Sequence, residues 1–326
     1  MKCPQPSFLG YFGDETELRY LGRKAYDRYL TKSYGENTYF KIRYEVPCLK
    51  CINCKIEHKA DWGTLCTCEM KFHEQNSFIT LTYAKMPPRG SLQKEHIQKF
   101  WKRLRKHLNP NRTPKSQRKL IKYFAAGEYG ENSTLRPHYH AIIFGWTPEL
   151  GEPHGKNKHG QILYRSPELE KIWTHGYVTV GEATFDSATY VASYLTKRID
   201  GSIAKDHYER MDPDTGEIYE IDPERGYCSQ KIGISWIEKN YKDVIHDGMI
   251  VIKKGEEYIQ RPIPRKFKKW LQENHPESYL QLRNRNTALG NAKNDKMIDR
   301  GEGPLQQAIL NHRVRELTHS KKEDIL

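Results

Sequence analysis

The segment at residues 136–146 constrains the fold most, because its run RPHYHAIIFGW of apolar, β-branched and aromatic residues is typical of a β-strand. Successive side chains of a strand point to opposite faces, so His138 and His140 share one face and Tyr139 takes the other. The chain is therefore expected to build a sheet that holds two imidazoles side by side, where they can share one metal ion.

Glu128 is the expected third ligand of that metal. It ends the preceding apolar run at residues 121–128, and the sequence GENST at residues 130–134 predicts a turn. An antiparallel hairpin would bring Glu128 back toward His138 and His140. Nitrogen and carboxylate ligands together suit Mg²⁺ or Mn²⁺ in an open site with room for phosphate oxygens. The alternative is that the two histidines are ordinary surface or core residues.

A second pattern, YVASYLTK at residues 190–197, predicts an amphipathic helix. Asp186 or Ser187 can cap its start and Gly201 is a stop signal, so the helix is expected to reach about Arg198. Apolar residues at four-residue spacing form its buried stripe, namely Val191, Leu195 and Ile199.

Tyr190, Tyr194 and Lys197 recur at i, i+4 and i+7 on a neighbouring face of this helix, so all three can reach one site. A tyrosine phenol, with a pKa near about 10, needs a metal, a cation or a base to become a nucleophile at neutral pH. Lys197 can stabilise the phenolate or a phosphorane-like transition state. With the histidine pair, this pattern indicates attack by tyrosine on a metal-polarised phosphodiester. The alternative is structural packing, since the chain contains 21 tyrosines.

Three motifs stand in order along the chain: FITLTY at residues 78–83, GEYG at 127–130 followed by RPHYH at 136–140, and Tyr190-x-x-x-Tyr194-x-x-Lys197. Their order resembles the HUH endonucleases, and in particular the rolling-circle replication initiators of microviruses, the gokushovirus branch above all. PCLKCINCK at residues 47–55, IGISW at 232–236 and PIPR at 262–265 are also similar to this phage family. The resemblance covers roughly residues 44–270.

The resemblance implies an α+β fold of the HUH-endonuclease type. A central antiparallel sheet of about five strands would carry helices on one face, with the histidine strand central and the tyrosine helix against it. It also implies an enzyme that nicks one strand of the double-stranded viral replicative form at the origin. That enzyme stays attached to the 5′ phosphate as a phosphotyrosine and leaves a 3′ hydroxyl for a host polymerase. The second tyrosine would cut the regenerated origin while the first releases circular single-stranded DNA.

Other interpretations of this chemistry remain open. No ATPase or helicase motif is visible, so duplex unwinding is expected to come from a host helicase. A transposase or relaxase of the same chemistry is an alternative, although two tyrosines favour replication. A non-catalytic nucleic-acid-binding protein stabilised by zinc is a second alternative.

The cysteine cluster bears on that second alternative. Cys48, Cys51 and Cys54 have the spacing C-x2-C-x2-C, which is compatible with zinc, and Cys66 and Cys68 follow. Cys51 and Cys54 also fall at helical spacing with later apolar residues, where cysteine acts as a small buried hydrophobe. Packing is therefore favoured over zinc. The sequence departs from the pattern of the phage family at Leu49, where a glycine is expected.

Charge favours a polyanionic partner, because 54 Lys and Arg against 41 Asp and Glu give a formal net charge of +13. A helix ending near Leu108 crowds basic residues on one face, and DNA-backbone contact or simple solvation can explain them. The DNA-binding candidates are Lys99, Lys102, Arg103, Lys106 and, before the histidines, Arg136. No apolar stretch predicts a membrane span or a signal peptide, and seven cysteines without a secretory signal favour the cytoplasm of a bacterial host.

Composition also suggests a domain division. Residues 1–45 are expected to form an irregular arm, residues 46–275 the endonuclease domain, and residues 276–326 a polar tail. Within the domain, residues 148–166 and 203–228 are expected to be insertions of loops and turns. The oligomeric state is left open by the sequence.

Overall fold

A computed structural model describes residues 3, 6–12, 19–21, 40–111, 113–130, 135–157, 160–199, 204–212 and 214–299. The chain divides into two compact units, one of residues 59–282 and one of the residues before and after that range. Among the described residues, no helix has both the length and the apolar character needed to cross a membrane.

The described strands are β1 Ser7–Phe12, β2 Arg19–Leu21, β3 Phe40–Val46, β4 Asn76–Tyr83, β5 Lys122–Tyr129, β6 Pro137–Phe144, β7 Pro153–Lys156, β8 Ile162–Arg165, β9 Gly176–Glu182, β10 Glu209–Met211, β11 Ile218–Glu220, β12 Arg225–Cys228, β13 Met249–Lys254 and β14 Glu257–Pro262. The described helices are α1 Ile52–Met70, α2 Lys94–Leu108, α3 Pro167–Trp173, α4 Phe185–Tyr194, α5 Ala204–Tyr208, α6 Ile234–Asp247, α7 Arg265–Asn274 and α8 Pro276–Asp299. Short 3₁₀ turns occur at Pro88–Gly90 and Lys115–Gln117.

The larger unit is built on a seven-stranded antiparallel sheet in the order β12-β5-β6-β4-β9-β8-β7. This confirms the α+β fold with an antiparallel sheet, and β6 lies inside the sheet between β5 and β4 as expected. The sheet is larger than the expected five strands because β7, β8 and β12 come from the two segments predicted as insertions. These edge strands pair through their backbones, while their side chains are mostly exposed and carry no apolar alternation that the sequence could display.

Helices cover both faces of the sheet, which corrects the expectation of helices on one face. The first core contains Phe78 and Ile142 with residues of α1, α4, α6 and α7, and the second contains Ile79 and Tyr139 with residues of α2 and α3. Alternate residues of β4 and β6 enter the two cores. Because these strands are apolar on both faces, each face must be buried beneath further elements.

The segments outside the predicted domain are more regular than their composition suggested. Strands β1, β2 and β3 form an antiparallel sheet in the order β2-β1-β3, so the described part of the predicted arm is not irregular. Helix α8 extends to Asp299 inside the predicted tail, since good helix formers are frequent in it despite its polarity. Residues 300–326 of that tail lie outside the described residues.

Candidate metal and nucleophile site

The hairpin of β5 and β6 brings the three predicted ligands together. Its register pairs Glu128 directly with His138, and His140 lies one pleat further on the same face. The predicted turn at residues 130–134 falls mostly on residues 131–134, which lie outside the described residues. On the other side of β6, strand β4 pairs Thr80 with His140.

A single carboxylate oxygen of Glu128 contacts both imidazoles. Its Oε1 lies 2.6 Å from Nε2 of His138 and 2.8 Å from Nε2 of His140. Glu128 and His140 are buried, and His138 is one-fifth exposed. One ligand atom from each of the three residues lies within 4.8 Å of the others, so the group is able to hold a divalent cation.

The second nitrogen of each imidazole is also engaged. Nδ1 of His138 donates to the backbone carbonyl of Arg136 at 3.0 Å, and Nδ1 of His140 lies 3.0 Å from Oγ1 of Thr80. These contacts aim both Nε2 atoms at Glu128. Such outer partners orient histidine ligands and fix their tautomers in metal sites.

Burial and charge shift the titration of these groups. Burial alone would raise the pKa of Glu128, but hydrogen bonds from His138 and His140 outweigh it and lower that pKa to about 2. Burial would lower the pKa of His138, yet its hydrogen bond to Glu128 raises it overall. The pKa of His140 is lowered, chiefly by burial. Glu128 is therefore ionised at neutral pH, as a carboxylate ligand must be.

Helix α4 carries the two tyrosines but differs at both ends from the predicted helix. Thr184, rather than Asp186 or Ser187, is the N-cap, and its side chain and that of Ser187 form a reciprocal capping box. The helix ends at Tyr194 and continues as a turn to Lys197, because the backbone bonds there tighten to the i→i+3 pattern. Gly201, the predicted stop signal, lies outside the described residues.

The tyrosine rings surround the buried imidazole of His140. The Tyr194 ring stacks on it with centroids 5.0 Å apart, and the Tyr190 ring meets it edge-on at 5.1 Å. The two tyrosine rings are themselves 4.9 Å apart. Phe78 of β4 stacks on His140 at 5.9 Å. Burial, followed by the charge of Glu128, raises the pKa of the Tyr194 phenol.

Lys197 reaches the same place although it lies beyond the end of α4. Its Nζ is 3.6 Å from Oε2 of Glu128 and 4.9 Å from the centroid of the Tyr194 ring. The ammonium is thus close to both the ligand carboxylate and a candidate nucleophile. The structure brings together all six predicted metal and catalytic residues, namely Glu128, His138, His140, Tyr190, Tyr194 and Lys197.

Comparison with known proteins agrees with the motif order. The family model for the replication-associated protein ORF2 matches residues 76–199. The chain is 31% identical to the replication-associated protein VP4 of Bdellovibrio phage phiMH2K over 263 residues, which is 78% of each chain. The chain belongs to the family of phage replication-associated proteins. The resemblance to microvirus replication initiators is thereby confirmed.

Further relatives in this family are similar over shorter stretches. The replication-associated protein ORF2 of Spiroplasma virus 4 is 29% identical over 241 residues, covering 72% of this chain and 70% of the relative. The replication-associated protein ORF4 of Chlamydia phage 1 is 36% identical over 163 residues, covering 48% of this chain and 39% of the relative. No solved structure matches the chain.

The segment that matches the replication-associated family model coincides with the candidate site. It begins at Asn76, the first residue of β4, and ends two residues after Lys197. It contains the histidine hairpin and the tyrosine helix. The cysteines at positions 48, 51 and 54 lie outside it.

The predicted DNA-binding residues do not form one group. Lys99, Lys102 and Lys106 are exposed on α2, which packs in the second core and therefore on the sheet face away from the histidines. Arg103 instead donates to the carbonyls of Ile172 and Trp173 at the end of α3, at 2.6 and 2.8 Å. These bonds give Arg103 a structural role, and burial lowers its pKa.

Arg136 is the one predicted basic residue near the histidines in sequence and in space. It is exposed, it precedes His138 by two residues, and its Nη2 donates to the carbonyl of Ala84 at 2.9 Å. DNA contact by Arg136 and by the three lysines stays a prediction.

Two residues of interest had no assigned role from sequence. Thr80 was part of the FITLTY motif, and only the pairing of β4 with β6 reveals its contact with His140. Cys3 lies beside Cys48, Cys51 and Cys54, with their sulfurs within 4.8 Å of one another. Its distance of 45 residues from Cys48 left no local spacing to find it. Cys66 and Cys68 are fully buried in the first core, as packing residues should be.

Proposed function

We propose that this replication-associated protein initiates rolling-circle replication by nicking one strand of viral origin DNA with a tyrosine. The observation that carries the proposal is the convergence of Glu128, His138 and His140 with two tyrosine rings and the Lys197 ammonium. Three ligand groups, two nucleophiles and a cation in one place fit phosphodiester transfer better than they fit packing.

Glu128, His138 and His140 would hold Mg²⁺ or Mn²⁺. The donor set fits, because two imidazole nitrogens and one ionised carboxylate converge while Thr80 and the Arg136 carbonyl hold the rings in place. When bound, the cation supplies charge that polarises the scissile phosphate. Three protein ligands leave room for phosphate oxygens.

The tyrosine performs the covalent step. The phenol gives up its proton as its oxygen attacks phosphorus, the bond from phosphorus to the 3′ oxygen breaks, and that oxygen leaves as a 3′ hydroxyl after taking a proton. The 5′ phosphate remains bound to the tyrosine. Lys197 would stabilise the negative charge that develops on the phenolate and the phosphate. Because the phosphotyrosine retains the energy of the broken diester, a later 3′ hydroxyl can reverse the step and rejoin the strand without ATP.

Two adjacent tyrosines suit a reaction with two cuts. Tyr190 is partly exposed, whereas Tyr194 is 4% exposed and its phenol titrates with a raised pKa. We therefore assign the first attack to Tyr190 and the second to Tyr194, once the first has become covalently occupied. Origin DNA in single- and double-stranded form would be the substrate, and a host helicase and polymerase would complete replication.

The test is a covalent-adduct assay with the full chain. Single-stranded oligonucleotides tiled across the genome that encodes the protein are incubated with Mn²⁺ or Mg²⁺, and products are resolved under denaturing conditions. We expect one origin sequence to yield a protein–DNA adduct that the double variant Tyr190→Phe, Tyr194→Phe does not form. Tyr258→Phe, which changes an exposed tyrosine of β14, should form it normally.

Other outcomes separate the alternatives. Retained DNA binding with no adduct on any oligonucleotide or metal would favour a non-catalytic binding protein. Cleavage confined to the ends of a mobile element would favour a transposase or relaxase. Sequencing the DNA at the 5′ end of the adduct defines the reaction and its site together.

A further inference from the structure

Four cysteine thiols form a separate cluster in the compact unit that contains the N-terminal residues. Cys3 Sγ lies 3.7 Å from Cys51 Sγ, and Cys48 Sγ lies 4.0 Å from Cys54 Sγ. All four sulfurs are within 4.8 Å of one another, and none of the four is in a disulfide. A disulfide needs sulfurs about 2.05 Å apart, so the spacing does not indicate paired cystines.

The spacing matches a tetrahedron of thiolates around a zinc ion. With Zn–S bonds of about 2.3 Å, the edges of such a tetrahedron measure about 3.8 Å. The two sulfur–sulfur contacts at 3.7 and 4.0 Å bracket that length. Four sulfurs that meet this condition come from two distant parts of the chain.

The backbone around these cysteines is arranged to support negative sulfur. The amide of Cys51 donates to Cys48 Sγ at 3.3 Å, and the amide of Cys48 donates to Cys3 Sγ at 3.4 Å. Leu49, in the turn between them, has a φ of 61°, a left-handed conformation that explains why a glycine is expected at this position. Cys54 lies in the first turn of α1, where the positive end of the helix favours an anionic ligand.

The small sheet explains how Cys3 reaches the cluster. Strand β1 pairs with β3 so that Ser7 faces Val46, two residues before Cys48. The residues before Ser7 are thereby led back toward the turn that contains Cys48. The fourth sulfur therefore depends on strand pairing and not on spacing along the chain.

We propose that Cys3, Cys48, Cys51 and Cys54 bind one structural Zn²⁺ ion. Four thiolates complete the coordination of zinc and leave no open position, so the site ties the segment before β1 to the start of α1 and performs no catalysis. Thiolates select zinc over the Mg²⁺ or Mn²⁺ expected at Glu128 and the histidines. The proposal is independent of the proposed function.

The test measures metal in the full chain, purified under reducing conditions, by elemental analysis. We expect about one zinc ion per chain, and the same content in the variant Glu128→Ala, His140→Ala. Cys3→Ser and Cys54→Ser should lose the zinc and lower the melting temperature. Cys228→Ser, which changes an exposed cysteine outside the cluster, should keep both at the wild-type value.

A second measurement covers variants that fold poorly. Cobalt added in place of zinc should give thiolate-to-cobalt charge-transfer absorption, retained in part by Cys3→His because imidazole can replace one thiolate. The proposal is overturned if wild-type protein holds less than about a tenth of an ion after reconstitution with zinc. It is also overturned if the zinc is lost only in the Glu128 and His140 variant, or if iron occupies the cysteines instead.

Discussion

Glu128 links the two halves of the candidate site through its two carboxylate oxygens. Oε1 accepts from both imidazoles of the hairpin, while Oε2 faces the ammonium of Lys197 beyond the tyrosine helix. A change at this residue therefore alters the ligand set and the surroundings of the nucleophiles together. The tyrosines are better residues for separating the two roles.

The first prediction concerns the order of the tyrosines. We expect Tyr190→Phe to reduce the initial nick at least about 100-fold, because the loss of a nucleophile leaves only the buried Tyr194. Tyr194→Phe should form the first adduct at nearly the wild-type rate but fail to release a circle from a substrate with two origins. Single-turnover adduct formation and circle release measure the two steps. Equal loss of the first nick in both single variants would contradict the order.

Glu69 is a second buried carboxylate with a structural role. It is 2% exposed and contacts Lys122 at 2.8 Å and His73 at 2.9 Å, and it accepts the amide of Gly233 at 2.7 Å. Burial opposes its ionisation, but these hydrogen bonds outweigh burial and lower its pKa below 4.5. The residue thereby connects α1, β5 and the start of α6.

A second prediction follows from this lowered pKa. A carboxylate whose pKa falls on folding stabilises the protein above about pH 4.5, and that stabilisation is lost as the pH drops through the folded value. Glu69→Gln should cost about 3 kcal/mol at pH 7, because Lys122 is left without its buried partner. Urea denaturation should show the gap between wild type and variant narrowing below about pH 4.5. A gap that widens in acid would contradict the assignment.

At the scale of elements, the tyrosine helix α4 is positioned by close packing on α1. A Cβ added at Gly63 of α1 would lie 2.8 Å from Cε2 of Phe185 and even closer to the side chain of Thr189. Glycine therefore allows the two helices to approach at this point. The capping box at Thr184 fixes the start of the same helix.

The third prediction tests that contact. Gly63→Ala should destabilise the protein by about 1–2 kcal/mol, because overpacking outweighs the gain in helix propensity. It should also slow adduct formation, since α4 must shift relative to β6. Gly290→Ala is the matched control, because Gly290 is also helical but nothing lies within 4 Å of its added Cβ. Chemical denaturation and the adduct assay check both, and an unshifted rate in Gly63→Ala would argue against the packing constraint.

At the scale of the whole molecule, the net charge of +13 predicts salt-sensitive DNA binding. Lys99, Lys102 and Lys106 lie on the face of the sheet away from the histidines, so contact with DNA there would extend along the protein beyond the cutting site. Such contact would add affinity without sequence preference.

The fourth prediction concerns these lysines. The affinity for single-stranded DNA should fall with salt, and Lys99→Ala, Lys102→Ala, Lys106→Ala should lower the log–log slope by about 2, since each phosphate contact contributes about 0.7. Fluorescence anisotropy across a salt series measures the slope. An unchanged slope would show that the three lysines are merely solvated.

The candidate site was predictable because its parts obey local rules. Alternation along one strand placed His138 and His140 together, a short hairpin returned Glu128, and helical spacing grouped Tyr190 with Tyr194. Each rule acts over a few residues, where side-chain order directly reflects backbone geometry. The edge strands β7, β8 and β12 were not predictable, because backbone pairing leaves no mark on exposed side chains.

The sequence alone determined the α+β class, the metal-ligand hairpin and the tyrosine pair, all through periodicities within one element or one turn. Only the tertiary structure decided that helices cover both faces, that Arg103 serves α3, and that Lys197 reaches Glu128 from beyond the helix end. It alone brought Cys3 to Cys48, Cys51 and Cys54. These contacts join residues far apart in the chain, and their formation depends on strand pairing and burial, which no local pattern records.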